Sequence, residues 1–195
     1  MDLYHIVLFL HLTTLLVAAG ATVAVKIAIG RRTRARTVGE ALEWHNSLIS
    51  ASKIFPICLA AFVITGSYMV SVIGRQNWSS GFIVGGLVGV ALLLSSGTYL
   101  GVKGKVLKQL LEKLAAQGAD RPAPKLVPPL LLALLPMMNT LIALSVAFDM
   151  VTKPTSIPVA LGVIAVGAIL GAGLGARQRA AHSVQESEGE VVPAA

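Results

Sequence analysis

Five apolar stretches separated by short polar connections constrain this chain more than any motif does. They run from Tyr4 to Ile29, Leu48 to Ile73, Gly81 to Val102, Leu126 to Met150 and Ile157 to Gly175. The hydrocarbon core of a bilayer is about 30 Å thick and takes roughly 20 apolar residues of helix to cross. Each stretch meets that length, and in lipid a lone segment satisfies its backbone only as a helix. With 55% hydrophobic and 13% charged residues over 195 positions, the composition does not suit a water-soluble domain. The expectation is an all-α polytopic membrane protein. A single five-helix bundle occupies residues 1–176, and a polar C-terminal tail occupies 177–195. That tail holds Glu186, Glu188 and Glu190 without a core-forming pattern, so it is expected to be disordered alone.

Charge sets the orientation, because Lys and Arg accumulate in short cytoplasmic loops. The first loop carries Arg31, Arg32, Arg34 and Arg36, and the third carries Lys103, Lys105, Lys108, Lys113, Arg121 and Lys125. Arg177 and Arg179 follow the last span, whereas the second and fourth loops offer only Arg75 and Lys153. This pattern places the N-terminus outside and the C-terminus in the cytoplasm. The formal charge of +7 is then explained by attraction to anionic lipid headgroups, about 1 kcal/mol per basic residue near the surface. Nucleic acid is not needed as a partner. The leading segment holds Asp2 and no basic residue, and the basic cluster follows the apolar run, so the first span reads as an uncleaved anchor rather than a secretion signal. Cys58 is the only cysteine, which excludes an intramolecular disulfide and a multi-thiolate metal centre.

In the longest connection Val106, Leu110 and Leu114 recur at helical spacing, which predicts an extension of the third helix ended by Gly118 and a link through Pro122 and Pro124. Small residues at four-residue intervals let helices approach closely in lipid. Gly81, Gly85 and Gly89 form one such row, Gly97 and Gly101 a second, and Gly167, Gly171 and Gly175 a third. They serve packing within the bundle, or contact within a homo-oligomer or a larger membrane complex.

Ionisable groups inside a span are costly and are candidate sites for that reason. His11 lies in the outer half of span one, about 10 Å below the outer boundary at 1.5 Å rise per residue, on a stripe with Leu15, Ala18, Thr22 and Lys26. In span two Asn46, Lys53, Ala60 and Ser67 recur every seven residues, a polar stripe that would turn Lys53 inward. Lys26 and Lys53 are both shallow enough to snorkel. Asp149 falls at the outer boundary beside Lys153, the usual setting of a solvated pair. His5, His11, Met69, Asp149 and Met150 all fall in the outer half, and imidazole and thioether are suitable copper ligands. His11 and His45 lie at different depths and cannot share one haem; single-histidine haem or copper at His11 stands against the alternative that His11 is a hydrogen-bonded packing residue. Phosphate-loop, zinc-protease and nucleophile-elbow motifs are absent, and Ser95 and Ser96 read as hydroxyls bonded to their own helix, so an enzyme is not indicated.

Phe9-Leu-His-Leu, the Gly20 region, Thr65-Gly66-Ser-Tyr, Trp78 and Met150-Val-Thr-Lys-Pro154 together resemble the CopD-like superfamily of small bacterial integral membrane proteins, closest to its uncharacterised predicted integral membrane members. The resemblance covers residues 4 to 154. It implies a bundle in the bacterial cytoplasmic (inner) membrane with His11 as the ligand position for haem or copper. The third span offers Tyr99 and Ser96 but no histidine, and span four lacks histidine, which argues against an oxidase. The leading expectation is copper or haem handling through His11. The alternatives are a non-catalytic accessory subunit of a larger complex, and a small-solute transporter using the Lys53 stripe with Pro56 and Pro136 as gating points.

Overall fold

A computed structural model of the chain describes residues 2–73, 78–124 and 129–189, with the backbone alone for 73 and 181–189. Arg75, Lys125 and Glu190 lie outside the described residues. Those described form six α-helices and no strand: α1 (Leu3–Thr33), α2 (Val38–Ser52), α3 (Ile54–Ile73), α4 (Gly81–Ala116), α5 (Leu130–Thr152) and α6 (Ile157–Gly189). Five helical segments are long and apolar enough to cross a membrane, namely Leu3–Thr33, Val38–Val72, Gly81–Ala116, Leu130–Thr152 and Ile157–Ala180. The architecture is that of a multi-pass membrane protein.

The second span is built from two helices rather than one. Pro56 has no N–H to give and its ring crowds the carbonyl four residues back, so the helix breaks at Lys53 and restarts with Pro56 in the first turn of α3, where a missing donor costs nothing. Pro136 lies inside the continuous α5, where the Thr140 hydroxyl donates to its carbonyl at 2.9 Å. The two prolines therefore stand in different local settings. Helix α4 runs unbroken to Ala116, and Gly118, at φ +143°, turns the chain where an L side chain would be strained. The tail begins as helix, because α6 continues to Gly189. Ala180, Ala181, Gln185 and Glu186 are good helix formers.

The helices group into two compact units, Met1–Trp78 with Gly101–Lys125 and Ser79–Leu100 with Leu126–Ala195, and α4 contributes to each. In the first unit α1 packs on α2 and α3. Its inward face is Val7, His11, Thr14, Ala18, Ala21, Val25, Ala28 and Arg32, all buried or half-buried at alternating four- and three-residue steps. The start of α2 is held twice over. Thr37 caps it by accepting the Glu40 N–H at 3.2 Å, and Glu40 accepts the Arg36 N–H at 3.0 Å, a variant of the capping box. The loop after α4 then takes the N–H groups of Val38 and Gly39 on the carbonyls of Arg121 and Ala119, both at 2.9 Å.

In the second unit the α5–α6 turn plays the same part for α4, whose Gly81 and Phe82 N–H groups donate to Thr155 and Pro154 carbonyls at 3.0 and 2.9 Å. Two of the glycine rows are used here. A Cβ on Gly167 would meet the Ser145 hydroxyl and the Leu141 carbonyl, and one on Gly171 or Gly175 would press on the backbone of Met138 or Leu134. Those on Gly81 and Gly89 would meet Ser156 and Val146. Gly97, Gly101 and Gly173 have nothing within 4 Å of that position.

This contrast is testable. Gly171→Ala is expected to lower stability by about 1–3 kcal/mol, the usual cost of an extra methyl(ene) in a packed site, whereas Gly173→Ala stays within about 0.5 kcal/mol. Thermal unfolding of the two variants in detergent checks it.

Candidate functional site

Thr65 on α3 decides the state of His11. Its hydroxyl lies 2.6 Å from the Ala61 carbonyl one turn back and 2.8 Å from His11 Nδ1. A hydroxyl has one hydrogen. Given to Ala61, the shorter contact, it leaves the Thr65 oxygen to accept from His11 Nδ1–H. Nε2 is then the unprotonated nitrogen, and its lone pair has no protein partner among the described residues. The ring is held in place from its other sides. Phe62 meets it edge to face at 5.0 Å between centroids and 74° between planes, and Cε1 lies 3.8 Å from where a Gly66 Cβ would stand. Phe62, Thr65 and Gly66 share a face of α3 at positions i, i+3 and i+4. Met69 continues that face one turn on and is half-buried.

His45 is the opposite case. Only 1% exposed, it accepts at Nδ1 from Arg32 Nη1 at 3.0 Å. Because guanidinium nitrogens only donate, Nδ1 carries no hydrogen, so Nε2–H donates to the Gly104 carbonyl at 2.8 Å. Both nitrogens are used and the imidazole is neutral. The contact ties α1, α2 and the far half of α4 at the end of the first unit that bears the basic residues. Arg31 beside it lies over the Trp44 ring, 5.7 Å from the centroid.

The other residues that the sequence singles out are distributed differently. His5 is exposed, off the inward face of α1, 4.0 Å from the Asp2 carboxylate. Asp149 and Met150 belong to the second unit. Met150 packs its Cε toward Gly86. Asp149 is not a solvated boundary residue: it is 0% exposed, Lys153 is exposed, and no ion pair joins them. Gly85 leaves the space its carboxyl fills, which is why a boundary position is buried here. Among the described residues no three His, Cys, Asp or Glu side chains gather to hold a metal ion.

The polar stripe of span two does not face inward. Asn46, Lys53 and Ala60 are exposed and Ser67 is half-buried. The faces actually buried carry Ala41 and His45 on α2 and Cys58 on α3, and the stripe is exposed on both sides of the break. Lys26 is half-buried on α1, and Leu15 of the same stripe is exposed. Ser95 donates to the Ala91 carbonyl at 2.8 Å, and the single hydroxyl hydrogen of Ser96 is shared between the Leu92 carbonyl at 2.8 Å and Asn139 Oδ1 at 2.7 Å. Neither serine is bonded to a histidine.

The Arg32–His45–Gly104 contact and the pairing of Thr65 with His11 join residues far apart in the sequence. Helical spacing alone gave a signal, since Arg32 continues the His11 face of α1 at its seven-residue repeat. No protein-family model, curated protein or solved structure matches the chain.

The buried histidine contact carries its own prediction. His45→Leu strands the Arg32 guanidinium and is expected to cost about 1–3 kcal/mol of stability. The pair Arg32→Met with His45→Leu should cost less than the two singles added together. A double-mutant cycle on thermal unfolding in detergent reads the coupling.

Proposed function

We propose that this is a multi-pass protein of the bacterial cytoplasmic membrane, N-terminus outside and C-terminus in the cytoplasm, that handles haem or copper in its outer half through His11. The observation that supports it is the pair of contacts at Thr65, from which the His11 tautomer follows. Histidines that ligate metals commonly donate their other ring N–H to an acceptor, which fixes the ring and leaves the ligating nitrogen free. His11 has that arrangement through Thr65, and Phe62 and Gly66 steady the ring. His45 has both nitrogens committed and is not a competing ligand.

One imidazole suits the axial position of a haem whose macrocycle supplies the other iron ligands. It equally suits a copper ion completed by soft ligands, of which Met69 is the nearest along the α3 face. His5, Asp149 and Met150 are not needed for this reading. The basic loops favour the stated orientation and contact with anionic headgroups. The resemblance to CopD-like proteins points the same way. A second reading, a non-catalytic accessory subunit or homo-oligomer, is favoured by Gly97 and Gly101 of α4, where an added Cβ would meet nothing within 4 Å among the described residues. Transport along the Lys53 stripe is not favoured, since that stripe is exposed.

Titration of the purified protein with haemin, and separately with Cu(I), tests the proposal. His11→Ala is expected to abolish saturable binding, and Thr65→Val to weaken it about 10–100-fold, the usual effect of removing such a supporting hydrogen bond. His5→Ala should bind as wild type. Undiminished binding by His11→Ala contradicts the assignment, and stoichiometric co-purification of an inert, ligand-free chain with partner subunits favours the second reading.

A further inference from the structure

Asp149 is the only carboxylate within the five apolar stretches. It is wholly buried, and among the described residues neither side-chain oxygen has a hydrogen-bond partner. The surroundings explain both facts. On α4 the nearest backbone is Gly85, where a Cβ would stand 3.2 Å from Oδ2 and 3.0 Å from the Ala160 Cβ of α6. The glycine thus makes the room that the carboxyl occupies. Neither residues 81–98 of α4 nor residues 157–175 of α6 contain an ionisable side chain. On α5 itself Asp149 is the sole ionisable group, and the neighbouring Lys153 is exposed, with its backbone N–H given to the Asp149 carbonyl at 2.8 Å.

Among the described residues an ionised carboxylate in such a place has neither a donor nor a counter-charge, and is strongly disfavoured. A hydrogen on one of its oxygens removes the charge. Among the described residues no three His, Cys, Asp or Glu side chains gather there to hold a metal ion.

We propose that Asp149 is a proton-binding site of the second unit, separate from the His11 reading. The O–H bond forms on a side-chain oxygen as a proton is taken from water beyond the end of α5 at Thr152, and it breaks when the proton returns there. A cycle of this kind needs no other reactant.

Dicyclohexylcarbodiimide, an apolar reagent that adds to protonated carboxyl groups, tests this on the full chain in phosphatidylcholine liposomes, with peptide mass mapping as readout. The expected result is an adduct on the peptide containing Asp149 at neutral pH, declining as the pH is raised, absent in Asp149→Asn and undiminished in Lys153→Gln. Sodium in place of choline should give no protection. Absence of the adduct from wild-type protein that shows a cooperative thermal transition overturns the proposal. So does labelling that does not vary with pH, or that sodium blocks at fixed pH, which would mark a metal-cation site. Should Asp149→Asn fail to fold, the mapped adduct and its pH dependence on the wild-type chain decide alone.

Discussion

Lipid supplies no hydrogen bonds, so every polar group in these helices must find its partner within the chain. The structure is organised by that requirement. Hydroxyls turn back on their own helices, as Thr14 does to Leu10, Thr22 to Ala18 and Ser71 to Ser67. The exposed N–H groups at the starts of α2 and α4 are each met by carbonyls from a loop elsewhere in the same unit. Against this background the two histidines of the first unit separate by what remains after bonding. His45 has nothing left to offer, whereas His11 keeps one nitrogen open. Asp149 is the extreme case, a carboxyl with no side-chain hydrogen-bond partner among the described residues.

The same solvent explains the glycines. Helices in lipid gain nothing from excluding water between them, so they associate through close contact. In the second unit the backbones of α5 and α6 approach where Gly167, Gly171 and Gly175 present no side chain. Close approach in turn leaves so little space at Gly85 that the Asp149 carboxyl is sealed from solvent. Packing and the electrostatic setting of that carboxyl are thus one feature of the fold.

The number and position of the apolar helices, the extension of α4 to Ala116 and its stop at Gly118 were legible in the sequence. Each rests on local information: run length, helical spacing, and a residue able to adopt positive φ. The break at Lys53 was less so, because a proline three residues later reads equally as a kink within one span. The Lys53 stripe faces outward for a different reason: a seven-residue repeat shows that residues share a face and not which face is buried. The depth of His11 was readable and its freedom was not, since the freedom depends on Thr65, 54 positions away, and on where a single hydroxyl hydrogen goes. Asp149 looked solvated because the sequence shows its neighbour Lys153 but not Gly85 and Ala160, which cover it.

The chain thus holds one imidazole with a nitrogen left open and one with both nitrogens committed, and the proposed ligand role rests on the first. The most direct measurement is purification from native membranes in a mild detergent, followed by a visible spectrum and metal analysis. The account predicts near-stoichiometric haem, seen as a Soret band, or near-stoichiometric copper, with either lost from His11→Ala protein prepared alongside. A colourless and metal-free wild-type chain, or a signal that survives the loss of His11, would contradict it.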